Sequence, residues 1–176
     1  MQIVRAPFFS SKISASWRIN IIQVSKPLYL QKIKAIITFV DLPKCIELLR
    51  LIATLHDFIH EQGYQYKRLQ YNFVSKESLL EMNKKYLNHD THTDIITFDY
   101  SKEQELEAEF YISYWAIQNS AKETGESVEN ETLRIISHGP LHCMGWNDKT
   151  DKQKIEMRKK ENAFIKMFHV KQISNV

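Results

Sequence analysis

A chain of 176 residues, 43% hydrophobic and 26% charged, has the size and composition of one globular domain with room for a short tail. Two cysteines, Cys45 and Cys143, exclude a disulfide framework and favour a reducing compartment, and no apolar run approaches the ~18 residues that a membrane span requires. The net charge of +3 arises in residues 1–40, which hold six basic residues and no acidic one, so the remainder has 18 basic and 21 acidic residues. A nucleic-acid site in the main body would therefore be a local groove and not a surface of bulk positive charge.

Residues 1–35 form a basic, serine-containing segment in which Lys12 and Arg18 interrupt any apolar core of the secretory kind. We interpret this segment as an extension of the folded domain, either disordered or the product of a start codon placed too far upstream. A transit peptide has the same composition, and an ordered functional arm is the third interpretation. The predicted location is the cytoplasm, or an organellar matrix if the segment is a transit peptide.

Hydrophobic periodicity and turn residues predict the elements that follow. In chain order they are a strand at 35–40, a helix at about 43–63, a strand at 66–74, a helix at 75–87, strands at 93–98 and 110–113, and helices at about 114–124, 127–144 and 150–168. Asp41 is the predicted cap of the first helix, and Ser75 the cap of the second. The acidic stretch 101–109 is predicted to be a solvated turn. This order predicts an α+β fold with a single mixed β-sheet, helices packed on it, and one domain over residues 36–170.

Two pairs of histidines are spaced four residues apart within predicted helices, namely His56 with His60 and His138 with His142. Four residues advance an α-helix by about one turn, so each pair presents its two imidazoles on one face. Two converging imidazoles are the beginning of a zinc site. Such a pair alone is weak evidence, because histidines packed in a core or solvated at a surface produce the same spacing.

The residues after each pair separate the two candidates. The stretch HGPLHCMGWND places a glycine where the helix ends and then a carboxylate, Asp148, which a chain reversal would bring back to the histidines. The pair at His56 and His60 is followed by Gly63 and Tyr66, and tyrosine is a poor zinc ligand. We therefore predict one zinc ion per chain in the C-terminal half, bound by His138, His142 and Asp148, on a helix and the loop after it.

Three neighbours of the predicted site complicate it. Pro140 falls between the histidines and would kink the helix or restart it. Cys143 is either a competing ligand or a small buried thiol, and the second interpretation is favoured. Gly139 stands where zinc peptidases of the HExxH type place the glutamate that acts as general base. The missing glutamate argues against a peptidase, although the ion and its bound water would remain.

Three stretches of the chain together resemble the YbeY family of bacterial endoribonucleases. HGPLHCMGWND resembles the family signature HGxLHLxGYDH, with Asp148 in place of the usual third histidine. The segment 83–98 resembles NxxYRxxDxxTDVLSFP, and the segment 109–113 resembles the strand motif GDIxIS. Order and spacing agree from about Ile36 to about His169.

The resemblance implies a metal-dependent hydrolase of single-stranded RNA that acts in ribosomal RNA maturation, notably at the 3′ end of the small-subunit RNA, and in ribosome biogenesis. It implies zinc on His138, His142 and Asp148, with RNA as substrate and with ribosomal subunits or assembly proteins as further partners; no membrane partner is implied. No catalytic side chain is assigned beyond the water on the ion.

The chain departs from the family pattern at its arginine, which would help to bind phosphate and is replaced by Leu87. Lys84, Lys85 or Arg134 is the candidate replacement for that positive charge. Asp94 either turns the chain into the strand or orients groups near the metal. Two other functions remain open at this point: a zinc peptidase-like hydrolase, and a non-catalytic ribosome-assembly factor in which zinc only stabilises the end of the helix.

Overall fold

The computed structural model describes residues 2–5 and 35–173. Its strands are β1 (Gln2–Arg5), β2 (Ile36–Val40), β3 (Gln65–Val74), β4 (Ile95–Asp99) and β5 (Glu105–Ser113). Its helices are α1 (Leu48–Glu61), α2 (Lys76–Leu87), α3 (Tyr114–Thr124), α4 (Val128–Cys143) and α5 (Asp151–Ile173). The strands form one sheet in the order β1-β4-β5-β3-β2, in which β4 and β5 pair antiparallel and the other neighbours pair parallel. The predicted α+β fold with a single mixed sheet is confirmed.

The edge strand β1 comes from the segment that was interpreted as an extension. Gln2 lies opposite Ile96 and Arg5 opposite Asp99, so these four residues belong to the sheet. The sequence did not predict this strand, because four residues in a basic segment are too few to show an alternating pattern. Residues 6–34 lie outside the described residues, and the domain boundary near residue 36 stays a prediction.

Strand β5 is longer than predicted, because the acidic stretch before it is part of the strand. Glu105, Glu107 and Glu109 alternate with buried Leu106 and Ala108, which is the period of a half-buried strand. The carboxylates find partners on the neighbouring strand β3. Arg68 lies 2.9 Å from Glu109, and Lys67 lies 2.8 Å from Glu107. The prediction of a solvated turn over 101–109 is therefore wrong from Glu105 onward.

An aromatic stack crosses the sheet under the helix that carries the histidine pair. Phe39, Tyr71 and Phe110 lie opposite one another on β2, β3 and β5, with ring centroids 4.8 and 4.6 Å apart. Gly139 of α4 rests directly on this stack, since a Cβ at that position would come within 2.6 Å of the Phe110 ring. The glycine thus lets the helix approach the sheet closely, and this approach sets the distance of the neighbouring His138 from the sheet.

Helix α4 is continuous through its proline. Because Pro140 has no N–H, the carbonyl of Ile136 one turn earlier loses its usual helical partner. The hydroxyl of Tyr71 donates to that carbonyl at 3.3 Å and satisfies it within the core.

Ser127 caps the start of α4, with its Oγ accepting from the backbone N–H of Asn130. None of the described helices is long and apolar enough to cross a membrane.

Helix α1 begins later than predicted. Asp41 has a φ of 55° and lies before a turn, and the side chain of Glu47 caps the helix by accepting from the N–H groups of Leu49 and Arg50. The predicted Ser75 cap of α2 is confirmed, since its Oγ accepts from the N–H of Ser78 at 3.1 Å.

Candidate metal centre

The two histidines lie one turn apart within the last two turns of α4. The rings of His138 and His142 meet at 87° with centroids 4.5 Å apart, and their Nε2 atoms are 3.1 Å from each other. His142 is buried, and His138 is half-buried. Both ring nitrogens that could hold an ion therefore point at the same place, as the spacing predicted.

A tight turn brings a carboxylate to the same place. Gly145 takes a φ of 91°, a left-handed conformation that favours glycine, and its N–H donates to the carbonyl of His142 at 2.9 Å. The next N–H, of Trp146, donates back to the carbonyl of Leu141 at 3.0 Å. The chain then reverses, and Oδ2 of Asp148 lies 3.6 and 3.5 Å from the Nε2 atoms of the two histidines.

The spacing of these three atoms fits a tetrahedral ion. Zinc bound by nitrogen or oxygen at about 2.0–2.1 Å requires neighbouring donors roughly 3.3–3.4 Å apart. The observed separations of 3.1, 3.5 and 3.6 Å lie around that value. Among the described residues this is the one group of three or more histidine, cysteine or acidic side chains close enough to share an ion. Three protein ligands leave a fourth position for water or substrate, which is the composition of a catalytic site.

A buried acid on α5 orients the first histidine. Oε1 of Glu161 lies 2.7 Å from Nδ1 of His138, and Glu161 is only 4% exposed. A carboxylate can only accept there, so Nδ1 carries the proton and Nε2 keeps its lone pair for an ion. The sequence analysis missed Glu161. The available signal was an acid within the apolar stripe of α5, which includes Met157, Phe164 and Phe168.

The acid is itself held by a buried guanidinium. Nη1 of Arg134 lies 3.3 Å from Glu161 and 2.9 Å from the amide oxygen of Asn162, and its Nε lies 3.1 Å from Glu131. Arg134 is 7% exposed. The structure thus places Arg134 in the interior, behind His138, and its predicted role in substrate binding stays a prediction.

Charges and burial keep the ligands in the forms that bind metal. Burial lowers the pKa of His142, and the nearby His138 lowers it further, while Asp148 and the backbone of Trp146 act in the opposite direction. Burial alone would raise the pKa of Glu161, but its hydrogen bond with His138 and the nearby positive charges lower it overall. At neutral pH the site therefore offers a neutral His142 imidazole oriented towards Asp148, with an ionised Glu161 behind His138.

Comparison with known families agrees with this geometry. The family model described as Endoribonuclease YbeY matches residues 37–169, more than half of the chain. The chain belongs to the YbeY family. The match includes both histidines and Asp148, and it begins close to the start of β2.

Curated relatives support the assignment, and a solved structure shares the fold. A YbeY endoribonuclease from Flavobacterium psychrophilum is 43% identical over 104 residues, which cover 59% of this chain and 74% of the relative. One from Cytophaga hutchinsonii is 39% identical and covers 64% of this chain and 80% of the relative. A solution structure of a protein from Thermotoga maritima shares the fold with a TM-score of 0.58 at 24% identity, covering 79% of this chain and 91% of that one.

The other residues in the YbeY-like segment 83–98 are engaged locally. Oδ1 of Asp94 accepts from the N–H of Ile95 at 2.8 Å, which turns the chain into β4. The ammonium of Lys84 lies 2.8 Å from Asp90 at the surface, and that of Lys85 lies 5.1 Å from the ring centroid of its neighbour Tyr86. None of these contacts joins the metal ligands. Their predicted roles in substrate binding stay predictions.

The second histidine pair forms a different cluster. The rings of His56 and His60 are 4.4 Å apart, and Nδ1 of His56 lies 3.0 Å from the hydroxyl of Tyr66. No group of three potential ligands forms here among the described residues. Cys143 is half-buried and is not one of the grouped ligand residues. Burial first, and then Asp99, raises the pKa of its thiol well above the usual range, so the thiol stays protonated.

Proposed function

We propose that this protein is a zinc-dependent endoribonuclease, specific for single-stranded RNA, that binds one zinc ion through His138, His142 and Asp148. The proposed substrate is ribosomal RNA, at the 3′ end of the small-subunit RNA, in ribosome biogenesis. One observation carries the proposal: three metal-ligand atoms converge with a free fourth position in a chain of the YbeY family. The relatives that it matches are named endoribonucleases.

The ligand set suits zinc. Two imidazoles and one carboxylate form one of the known compositions of catalytic zinc sites, and imidazole favours zinc over magnesium or calcium. When bound, zinc supplies a Lewis acid for the phosphate and lowers the pKa of a bound water to about 7.

Residues of the chain hold the metal ligands in position and leave one side of the site open. Glu161 and Arg134 hold His138 in one tautomer and one orientation through a chain of contacts of 2.7 and 3.3 Å. His142 is held by burial and by the backbone of Trp146. Asp148 is the most exposed of the three ligands, with 32% of its side chain accessible, so the site is open to solvent on the side of the loop. An RNA strand would approach from that side.

The structure gives a physical reason against the peptidase alternative. A glutamate after the first histidine would have to replace Gly139, where even a Cβ would come within 2.6 Å of the Phe110 ring. The close approach of α4 to the sheet and the HExxH arrangement are therefore incompatible in this chain.

Cleavage assays test the proposal. Purified protein should contain about one zinc per chain and should cut a labelled single strand internally, while leaving the matching duplex and casein intact. A transcript that carries the small-subunit 3′ end with its downstream precursor tests the preferred substrate. His142→Ala and Asp148→Ala should lose zinc and cleavage together, and His56→Ala is the matched control that should keep both.

Two outcomes would count against the proposal. Zinc bound at full stoichiometry without any metal-dependent RNA cleavage would favour the non-catalytic assembly factor. Cleavage that persists unchanged in both ligand variants would place the chemistry elsewhere in the chain.

A further inference from the structure

A cleft of about 600 Å³ opens between the metal-ligand loop, the end of α1 and the middle of α5. Its walls come from the end of α1, from the loop that joins the ligands His142 and Asp148, and from Lys160 of α5. Its volume falls in the range of small-ligand sites, which is about 300–1,000 Å³. The metal centre makes no use of this cleft.

The cleft contains an aromatic ring and a cation in contact. The ammonium of Lys160 lies 4.8 Å from the ring centroid of Trp146, and the side-chain oxygen of Gln62 accepts one of its hydrogen bonds at 2.6 Å. An ammonium has three N–H donors, so donors remain for an anion. Trp146 is half-buried, packs against the core and lines the cleft. A fixed aromatic ring beside a cation is the combination that binds single-stranded nucleic acid, through base stacking and phosphate contact.

The cleft adjoins the metal ligands along the chain on both sides. Two lining residues, Met144 and Trp146, stand two positions after His142 and two before Asp148. Since consecutive Cα atoms are about 3.8 Å apart, their backbones lie within about 8 Å of those ligands. Lys160 directly precedes Glu161, the acid behind His138. One wall of the cleft and the metal ligands therefore share a single loop, although none of the three ligands lines the cleft.

Two hydrogen bonds anchor the backbone of the loop that forms one wall of the cleft. The hydroxyl of Tyr64 donates to the carbonyl of Met144 at 3.0 Å, and the N–H of Trp146 donates to the carbonyl of Leu141 at 3.0 Å. Both bonds fix the loop that carries the tryptophan. A pre-organised wall lowers the entropic cost of binding.

We propose that this cleft binds one nucleotide of the RNA strand next to the bond that is cut, with its base taking the place of the Lys160 ammonium over the Trp146 ring and its phosphate on that displaced ammonium. This inference rests on the proposed function and deepens it by naming a substrate subsite. Glu61 also lines the cleft, and its carboxylate repels a bound anion. A phosphodiester with a single charge therefore fits better than a terminal phosphate with nearly two, so the site favours an internal nucleotide.

RNA binding without metal tests the subsite apart from cleavage. EDTA-treated protein is titrated into a fluorescein-labelled single-stranded RNA of about ten nucleotides, and anisotropy gives Kd. Because stacking contributes about 1–3 kcal/mol per base, Trp146→Ala should raise Kd by about 5- to 150-fold. Trp146→Phe keeps an aromatic ring and should recover most of the affinity. Lys160→Gln should lower the slope of log Kd against log salt by about 0.7.

Matched variants make the result specific to the cleft. Trp115→Ala removes an exposed tryptophan on α3, and Lys166→Gln removes an exposed lysine on α5; both should bind like the wild type. Urea unfolding and zinc content of each variant show that fold and metal site persist. If Trp146→Ala does not fold, Trp146→Phe and Lys160→Gln carry the test.

The outcomes distinguish a failure of the proposed function from a failure of the proposed subsite. Wild-type protein that binds the single strand tightly through Trp146 but never cuts it with zinc present contradicts the proposed function and leaves the subsite intact. Wild-type protein that cuts RNA, while Trp146→Ala and Lys160→Gln bind with unchanged Kd and salt slope, overturns the subsite. Equal losses in Trp146→Ala and Trp115→Ala also overturn it, because stacking would then be diffuse.

Discussion

Replacing Glu161 by glutamine should weaken zinc binding although Glu161 does not touch the ion. The carboxylate accepts from Nδ1 of His138 at 2.7 Å through one oxygen and from Arg134 at 3.3 Å through the other. Glutamine has one acceptor and one donor end. If its oxygen faces His138, its NH₂ group meets the guanidinium of Arg134, which is donor against donor. If it is turned round, its NH₂ group favours the His138 tautomer that carries the proton on Nε2, where the ion binds.

The two arrangements of glutamine lead to similar magnitudes. A hydrogen bond to a charged group contributes about 1.5–3 kcal/mol. Loss of the outer partner of a metal-bound histidine typically lowers metal affinity by about 10- to 100-fold, which is roughly 1.4–2.7 kcal/mol. We therefore expect Glu161→Gln to raise the Kd for zinc by one to two orders of magnitude.

Competition with a chromophoric zinc chelator at fixed pH measures this change. Glu156→Gln is the matched control, because Glu156 lies on the same helix and pairs with Lys159 at the surface, 2.8 Å away; its zinc affinity should equal that of the wild type. Urea unfolding of the metal-free variants separates a local effect from a loss of the fold. Wild-type zinc affinity in Glu161→Gln would refute the role of Glu161 in orienting His138.

Four further outcomes are expected. Gly139→Ala should destabilise the protein by about 1–3 kcal/mol in urea unfolding, because the new methyl group meets the aromatic stack; unchanged stability would mean that the helix can move away from the sheet. Tyr71→Phe should lower the free energy of unfolding by about 1–3 kcal/mol, and by much less in a Pro140→Ala background, where the restored N–H donates to the same carbonyl of Ile136. Additive effects of the two substitutions in this double-mutant cycle would contradict the proposed compensation. Burial lowers the pKa of His142 below its ordinary value of 6.5, so the unfolded state takes up the proton first and the stability of metal-free protein should fall as pH drops below about 6.5. His142→Phe should reduce this decline in stability, and an equal decline in both proteins would contradict the role of His142. Asp148→Ala should weaken zinc binding by direct loss of a ligand, whereas Asp148→His should keep zinc and shift the pH–rate profile to lower pH; unchanged zinc affinity in Asp148→Ala would mean that another residue is the third ligand.

The metal ligands could be predicted from sequence because their geometry is local. His138 and His142 are one helical turn apart, and Gly145 determines where the chain reverses towards Asp148. Each of these facts follows from residue spacing and from the conformational freedom of glycine.

The support of the site could not be predicted, because it depends on contacts distant in sequence. Glu161 reaches His138 from 23 residues away, through the packing of α5 on α4, and Tyr71 reaches the carbonyl of Ile136 across 65 residues. The extent of β5 was missed for a related reason. From sequence alone its acidic residues are expected to be solvated, because their partner Arg68 lies on the neighbouring strand, distant in sequence.

The depth of α4 in the protein has a consequence for how metal enters and leaves. Residues 131–137 of this helix are all buried, so their amide hydrogens are expected to exchange with solvent only when the whole domain unfolds. Beyond the anchored Trp146, the end of the ligand loop at residues 147–150 is less covered, and Asn147 and Lys149 are exposed. Opening of this loop would move Asp148 while both imidazoles stay in place. We therefore expect the metal ion to leave and enter through local opening of this loop, without unfolding of α4. The metal-free protein then keeps two of its three ligands in position to bind a new ion.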